Sequence, residues 1–317
     1  MPLHIIVGSG PVGTATARLL AARGDQVRVV TRRGIGPIDP AIELVAADAG
    51  DPTALSRVAS GAAVIHSCAA PPYWRWVAEF PPLWASLLAA AEATGALLVS
   101  TNNLYGYTYT PPINGPITED LPFTATTAKG RVRAQMWHDA LKLHKDGRIR
   151  VTEARASDYI GEGAVSYLTE TVLRPVATGK RAMVPADLDA PHSWTYIGDV
   201  ARTLVALADD DRAWGRAWHV PSQPAASVRE IAVRAARLAG VPEPRLTYMP
   251  KSVLWLVGLL APIGGDSAKM VRELREVAYQ RHNPWLLDSS TTSETFGLKP
   301  TPLDDSLRET MASYRMP

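Results

Sequence analysis

Short runs rich in apolar residues alternate along the first half of the chain with longer segments of mixed polarity. This alternation predicts parallel strands joined by helices that cover both faces of one sheet. The predicted strands are Leu3–Val7, Gln26–Val30, Ala41–Ala47, Ala63–Ser67, Ala96–Ser100 and Arg148–Ala154. The predicted helices are Thr14–Arg23, one that begins at Asp51-Pro52 and ends at Gly61, Pro82–Thr94 and Thr126–His144. The pattern therefore predicts an α/β fold with a doubly wound, Rossmann-type parallel sheet.

Beyond residue 160 the alternation loses its regularity, and short strands are predicted at 193–197 and 217–220. Helices are predicted at 166–177, 199–208, 227–239, 251–260, 267–280 and 304–314. Ser227 and Glu230 have the spacing of a capping box at the start of one of them. We expect a dinucleotide-binding domain over 1–160, rejoined by about 190–221, and a smaller, mostly helical substrate or cap domain over 161–189 and 222–317.

The turn after the first predicted strand reads Gly8-Ser9-Gly10-Pro11-Val12-Gly13. Glycines at this spacing let the backbone approach a pyrophosphate, and the N-terminus of the next helix offers amide hydrogens and a positive dipole. The loop after the fourth strand leaves the same edge of the sheet, where ligands bind. The predicted cofactor contacts are Gly8, Gly10, Pro11, Val12, Gly13, Ala69 and Ala70.

The second predicted strand leads into Thr31-Arg32-Arg33, where an NAD-binding chain would carry a carboxylate for the adenosine ribose. Guanidinium groups donate instead to a 2′-phosphate, so Arg32 and Arg33 predict NADP(H). Two exposed arginines that follow a strand by chance are the alternative. Asp48, at the end of the third strand, is placed to accept from the adenine amino group or to serve only as a helix-start carboxylate.

Composition and charge narrow the function classes. Of 317 residues, 46% are hydrophobic and 20% charged, and the net charge of +2 gives no global electrostatic case for nucleic acid or an anionic membrane. Cys68 is the single cysteine, which excludes an internal disulfide framework and favours a cytoplasmic setting. The histidines show no metal-ligand spacing, so no metal is predicted. The longest apolar run, Val253 to Ile263, is shorter than the ~20 residues that a membrane span needs.

Three later stretches carry a resemblance to a known family. They read Val99-Ser100-Thr101-Asn102-Asn103-Leu104-Tyr105-Gly106, Arg155-Ala156-Ser157-Asp158-Tyr159-Ile160-Gly161 and Trp194-Thr195-Tyr196-Ile197-Gly198-Asp199-Val200-Ala201. With the opening turn, they resemble the extended short-chain dehydrogenase/reductases, the family of NAD(P)-dependent epimerases, dehydratases and reductases. The resemblance implies that Thr101 occupies the position of the catalytic hydroxyl. It also implies a possible homodimer through the helices at 82–94 and 126–144.

One departure from that family concerns its Tyr-x-x-x-Lys motif. Lys129 fits the lysine, but Ala125 stands four residues before it, and none of the ten tyrosines has a lysine four residues on. The opening turn also lacks the G-x-x-G-x-x-G spacing that is usual for extended members. The resemblance therefore implies an atypical member without the family's proton-transfer tyrosine.

The catalytic candidates are Thr101, Lys129 and Tyr105. Thr101 would orient a substrate carbonyl, Lys129 would bind the nicotinamide ribose, and Tyr105 or water would carry the proton. Tyr105, Tyr107 and Tyr109 face one side of the loop if it is extended. The alternatives are a hydroxyl that caps a strand end, a solvated lysine and tyrosines that only pack the loop.

The remaining expectations concern the substrate pocket and the reaction. Aromatic residues near the sheet edge predict an apolar pocket that involves Tyr73, Trp76, Asn103, Tyr159 and Trp194, with Trp74 and Trp255 nearby. The leading hypothesis is an NADP-dependent oxidoreductase acting on a small-molecule carbonyl or alcohol. One alternative is an NADP(H)-binding regulatory protein that has lost catalysis. Another is a nucleotide-sugar epimerase or dehydratase, for which Arg272, Arg275 and Arg281 are candidate diphosphate ligands.

Overall fold

A computed structural model describes residues 1–107, 115–250, 252–253 and 276–314 of the chain. Its centre is a seven-stranded sheet in which every strand pair is parallel. The strands are β1 (Leu3–Val7), β2 (Gln26–Thr31), β3 (Ile42–Ala46), β4 (Val64–Ser67), β5 (Leu97–Asn103), β6 (Arg150–Ala156) and β10 (Ala217–His219), in the order β10-β6-β5-β4-β1-β2-β3. The order reverses between β1 and β4, and ligands bind at such a switch point.

Helices cover both faces of this sheet, as the alternation predicts. Their bounds are α1 (Pro11–Arg23), α2 (Pro52–Val58), α3 (Trp76–Thr94), α4 (Ala128–Lys145) and α6 (Ile197–Asp209). Helices α1 and α6 pack together on one face, and α2, α3 and α4 cover the other. Residues that are far apart in the sequence therefore lie close together at one edge of the sheet.

Helix α3 begins six residues before the predicted start and contains Pro81 and Pro82. An internal proline removes a backbone hydrogen bond and costs about 3 kcal/mol. Trp76, Phe80 and Trp84 are spaced four residues apart and are buried in the core below the sheet. Burial of these three large side chains on one helix face offsets the loss. The positions of the prolines in the sequence do not reveal this compensation.

The end of β5 also differs from the prediction. The strand continues to Asn103 and a 3-10 turn, Leu104–Gly106, follows at once. Because that turn is not extended, Tyr105 and Tyr107 diverge: Tyr105 contacts Tyr73, whereas Tyr107 contacts His219. The expectation that these phenols face one side is wrong, and Tyr109 lies outside the described residues.

The second half of the chain builds another hydrophobic core. Its elements are β7 (Asp158–Ile160), a π-helical turn Thr169–Leu173 that continues into α5 (Arg174–Ala177), β8 (Ala182–Val184), β9 (Trp194–Tyr196), α7 (Val228–Ala239), β11 (Leu246–Tyr248), α8 (Ala278–Arg281), α9 (Ser290–Phe296) and α10 (Leu303–Ser313). β7 pairs with β9 and β8 with β11. The capping box of Ser227 and Glu230 is confirmed.

The helix predicted at 251–260 lies almost wholly outside the described residues, as does most of the one at 267–280. None of the helices in the described ranges has the length and apolar character needed to cross a membrane.

Two histidines lie side by side in the middle of the sheet, His4 on β1 and His66 on β4. Nδ1 of His4 is 3.0 Å from Nε2 of His66, and the rings stack. Burial lowers the pKa of His4 and lowers that of His66 well below its ordinary value. Burial also lowers the pKa of His219 to about 3. Below about pH 6.5 these histidines therefore bind protons in the unfolded chain but stay neutral in the native state.

We expect the folding stability that depends on these neutral histidines to be fully present above about pH 6.5 and to fall as the pH drops below it. Each histidine contributes a slope of up to about 1.4 kcal/mol per pH unit, so stability is expected to drop by about 3 kcal/mol between pH 7.5 and 5.5. Urea unfolding at several pH values measures this. His66→Gln reduces the slope, whereas His138→Gln on the exposed face of α4 leaves it unchanged. A flat profile in this range would contradict the expectation.

Candidate active site

A cavity of about 910 Å³ opens at the carboxyl edge of the sheet, around the switch point between β1 and β4. This volume is near the upper end of the ~300–1,000 Å³ of ordinary ligand pockets, so it suits a large ligand. The predicted site residues in its wall are Gly8, Gly10, Pro11, Val12, Arg32, Asp48, Ala69, Ala70, Tyr73, Trp76, Thr101, Asn103, Tyr105 and Tyr159. Gly13, Arg33, Lys129 and Trp194 are predicted site residues that do not line it.

The three glycines of the opening turn have separate structural roles. Gly8 has a φ of +103°, and a Cβ there would lie 2.7 Å from the backbone of Ala69. A Cβ on Gly13 would lie 2.1 Å from the carbonyl oxygen of Gly8, so Gly13 packs the turn and does not reach the cavity. A Cβ on Gly10 would meet nothing within 4 Å and would point into open space. Of the three, Gly10 is the one that leaves its free volume to a ligand.

Helix α1 begins at this turn without a capping side chain. Gly10 is its N-cap, Pro11 follows, and the first turn holds no acidic residue. The first amides of a helix have no partner within the helix, and they carry the positive end of its dipole. The start of α1 can therefore bind an anionic group through its backbone.

The end of β2 contributes one cationic side chain to the wall. Both arginines are exposed, but Arg32 lines the cavity and Arg33 lies outside its wall. Asp48 also lines it, and its Oδ1 accepts a hydrogen bond of 2.9 Å from the amide of Gly50. That bond fixes the loop before α2 and leaves the second carboxylate oxygen of Asp48 for a ligand.

Two phenols meet at the other end of the cavity. The hydroxyl of Tyr73 donates to the hydroxyl of Tyr105 at 3.2 Å. Burial raises the pKa of Tyr105 and raises that of Tyr73 well above its usual value. Both groups therefore stay neutral near pH 7. Because Tyr105 accepts from Tyr73, its own proton remains to donate.

Two polar residues of β5 stand beside the phenols. Thr101 lines the cavity, but its hydroxyl donates to the backbone carbonyl of Ser67 at 2.9 Å, so toward a ligand it offers an acceptor rather than the expected donor. The side-chain oxygen of Asn103 accepts from the amide of Tyr105 at 3.1 Å. The amide NH₂ of Asn103 is left as the group that can donate to a ligand.

Lys129 does not occupy the predicted place. Its ammonium lies 2.8 Å from a carboxylate oxygen of Glu276, whose other oxygen accepts from the backbone amide of Lys129. The Nζ atom also lies 4.7 Å from the centre of the Tyr73 ring. The side chain is buried behind that ring and outside the cavity wall, so direct binding of a ribose by Lys129 is not what this geometry provides.

Arg133, one turn further along α4, does line the cavity. It is buried, and its guanidinium carbon lies 4.6 Å from the ring centre of Trp76 and 4.1 Å from that of Phe80. Burial lowers its pKa to about 10, which leaves it protonated near neutral pH. The sequence offered a signal for Arg133, because residues four apart share a helix face with Lys129.

Several other expectations are settled by packing. Trp194 lies in the second core, where its indole NH donates to the carbonyl of Ala226 at 2.9 Å, so it does not line the pocket. Cys68 lines the cavity, but burial raises its thiol pKa to about 12, which makes it unreactive. Arg281 is buried against Tyr167, and Trp255, Arg272 and Arg275 lie outside the described residues. Within the described ranges, no three His, Cys, Asp or Glu side chains are grouped to hold a metal ion.

Comparison with known proteins adds the family. A profile of the NAD dependent epimerase/dehydratase family matches residues 5–220, about two thirds of the chain. The chain belongs to the NAD dependent epimerase/dehydratase family. This confirms the resemblance drawn from the opening turn and the three later stretches. A search of curated protein sequences finds no match.

Solved structures of epimerases share the fold. UDP-N-acetylglucosamine 4-epimerase from Bacillus cereus is 13% identical, with a TM-score of 0.76 over 98% of this chain and 96% of that one. UDP-glucuronic acid 4-epimerase from Bacillus cereus, in complex with UDP-glucuronic acid and NAD, is 16% identical, with a TM-score of 0.78 over 99% of both chains. UDP-glucose 4-epimerase of Thermus thermophilus in complex with NAD is 17% identical, with a TM-score of 0.75 over 99% of both. These likenesses confirm the Rossmann-type fold.

Within the epimerase/dehydratase family, this chain departs at the motif on α4. The helix begins at Ala128 with Thr127 as its N-cap, so Ala125 lies before the helix and cannot present a side chain from it. Lys129 and Arg133 are buried cations one turn apart on α4. Lys129 stands at the position that the resemblance gives to the family's lysine, and Arg133 is an additional cation one turn further on.

Proposed function

We propose that this family member is an NADP(H)-dependent oxidoreductase that reduces a carbonyl group in the cavity at the sheet edge. The observation that carries the proposal is the Tyr73–Tyr105 phenol pair in the same cavity as the glycine turn. One end of that cavity has features that suit a pyrophosphate and a 2′-phosphate. The other end has a protonated phenol ready to donate.

Separate residues of the chain bind the cofactor, donate the proton and orient the substrate carbonyl. The start of α1 and Arg32 hold the phosphates of the dinucleotide, which supplies the hydride when bound. Tyr105 donates its hydroxyl proton to the carbonyl oxygen of the substrate, and Tyr73, which already donates to Tyr105, stabilises the phenolate that forms. The NH₂ of Asn103 donates a second hydrogen bond to the same oxygen. The raised phenol pKa values favour reduction, since oxidation requires a phenolate at the outset.

Tyr105→Phe tests the proton donor. Loss of a general acid lowers kcat by a factor of about 10² or more. We expect this loss in NADPH-dependent reduction of carbonyl compounds, followed by absorbance at 340 nm, with little change in NADPH affinity. Tyr107→Phe serves as the matched control, because Tyr107 is buried away from the cavity wall. Tight NADPH binding without consumption by any carbonyl substrate would contradict catalysis and favour the regulatory alternative.

The cofactor preference rests on Arg32. A charge-assisted hydrogen bond contributes about 1.5–3 kcal/mol, so we expect Arg32→Ala to weaken NADP⁺ binding roughly 10- to 150-fold and to leave NAD⁺ binding nearly unchanged. Arg33→Ala is the control, since Arg33 is exposed and outside the cavity wall. Calorimetric titration of the wild type and both variants with the two nucleotides measures the six affinities. Equal affinity of the wild-type protein for NAD⁺ and NADP⁺ would refute this assignment.

The family match also supports a second candidate, a nucleotide-sugar epimerase or dehydratase. An epimerase regenerates its cofactor within each cycle and needs no external NADPH. Incubation with UDP-sugars, followed by product separation, distinguishes the two candidates. Conversion of a UDP-sugar without net change in absorbance at 340 nm would favour the epimerase.

A further inference from the structure

We infer that Arg133 is the anchor for a carboxylate on the substrate, which makes that substrate an apolar oxo acid. The inference rests on the proposed function, because it places the carboxylate in the same cavity as the proton donor Tyr105. The contacts of Arg133, its burial and the composition of the wall carry it.

Arg133 is a buried charge that has no counterion in the part of the chain that the structure describes. It is 7% exposed and lines the cavity, yet among the described residues it forms no ion pair, and its Nε has no hydrogen-bond partner. The other buried cations nearby differ: Lys129 is paired with Glu276 and Arg155 with Glu153. Burial of an unpaired charge is strongly unfavourable. An anionic group on a ligand would supply the counterion that this cation at the cavity wall lacks among the described residues.

The rings of Trp76 and Phe80 contact the guanidinium but offer no acceptor for its N–H groups. Their centres lie 4.6 and 4.1 Å from its central carbon, which is within the range of cation–π contacts. These contacts stabilise the charge only in part. They accept none of the in-plane N–H bonds that a guanidinium makes best. The rings therefore position Arg133 and leave its N–H groups for another acceptor.

A carboxylate fits this arrangement better than a phosphate dianion. The planar fork of arginine matches a carboxylate through two parallel hydrogen bonds. Asp158 lies in the same wall, so a second negative charge on the ligand would be repelled. The surrounding side chains, Tyr73, Trp76 and Trp285, make the pocket apolar and aromatic. The Trp76 ring, which lies 4.6 Å from the guanidinium carbon of Arg133, is 4.9 Å from the ring of Tyr73 and 5.9 Å from that of Tyr105, so Arg133 lies near the phenol pair. A carboxylate on Arg133 would therefore bring a neighbouring ketone toward Tyr105.

Benzoate and benzamide, which differ in charge but hardly in shape, test the inference. Their affinities are measured by calorimetry with and without saturating NADP⁺. We expect the wild-type protein to bind benzoate at least tenfold more tightly than benzamide and more tightly than phenyl phosphate. Arg133→Gln removes the preference for benzoate, and Arg133→Lys keeps part of it. Arg131→Gln, an exposed arginine on the same helix, leaves it unchanged.

Three outcomes overturn the inference. They are equal binding of benzoate and benzamide by the wild-type protein, tighter binding of phenyl phosphate, and an Arg133→Gln protein that keeps the benzoate preference but loses NADP⁺ affinity, which would place the guanidinium on the cofactor. If Arg133→Gln does not fold, the wild-type probe series and Arg133→Lys still decide. The proposed function fails separately, if NADP⁺ does not bind while benzoate is still preferred.

Discussion

Gly13→Ala is expected to destabilise the native protein by about 3 kcal/mol and to abolish cofactor binding with it. A Cβ at this position would lie 2.1 Å from the carbonyl oxygen of Gly8, 3.1 Å from its carbonyl carbon and 3.2 Å from the Cβ of Cys68. Two of these neighbours are backbone atoms of the turn, which cannot move aside without opening it. The overlap therefore acts on the fold before any ligand is present.

Gly10→Ala is the matched control, because its Cβ would meet no atom within 4 Å and its φ of −66° suits alanine. We expect the Gly10→Ala protein to unfold at the wild-type urea concentration but to bind NADP⁺ more weakly, since the methyl group occupies the ligand's space. Urea titration and calorimetry on both variants measure the contrast. Equal stability of Gly13→Ala and the wild type would show that the turn relaxes around a side chain.

Arg155→Met is expected to cost about 3–5 kcal/mol of folding stability, since it leaves a buried carboxylate without its cation. Nε of Arg155 lies 2.8 Å from Glu153, and the two side chains are 4% and 2% exposed. The same guanidinium donates to the hydroxyl of Tyr107 at 2.5 Å. After the substitution, the charge on Glu153 keeps, among the described residues, hydrogen bonds from the side-chain amide of Asn102 at 2.9 Å and from the hydroxyl of Ser100 at 3.5 Å.

The exposed pair of Arg148 and Glu92 is the control, at a similar distance of 2.7 Å with side chains 52% and 39% exposed. Solvent screening limits such a pair to about 0–1 kcal/mol, so Arg148→Met should be nearly neutral. Chemical denaturation of both single variants measures the difference. A double variant, Glu153→Leu with Arg155→Met, should recover part of the loss, because no unpaired charge remains. Equal costs at the two sites would refute the role of burial.

Local pattern predicted most of the central sheet and the residues that line the glycine-turn end of the cavity. Both depend on residues close together in sequence, such as the turn from Gly8 to Gly13 and Arg32 after β2. The start of α3 was missed because burial of Trp76 outweighs the signal of Pro81 and Pro82. That balance depends on tertiary packing, which the positions of the prolines in the sequence do not show.

The phenol end of the cavity, around Tyr73 and Tyr105, was predicted less well, because its geometry is set by contacts distant in sequence. Thr101 is engaged by the carbonyl of Ser67, and Lys129 by Glu276. The resemblance to the family's motif pointed to Lys129, which lies outside the cavity wall, whereas Arg133 on the same helix lines the cavity. The division into two domains and the homodimer stay predictions.

The Lys129–Glu276 contact also bears on how the site is assembled during synthesis. The glycine-turn end of the cavity is formed by residues among the first seventy of the chain, around the start of α1. At the phenol end, the Tyr73 ring packs on Lys129, whose carboxylate partner Glu276 lies 147 positions further along the chain. Contacts of such separation form late, because the intervening chain must first be made and closed. We therefore expect the phenol end of the cavity to be completed after the glycine-turn end.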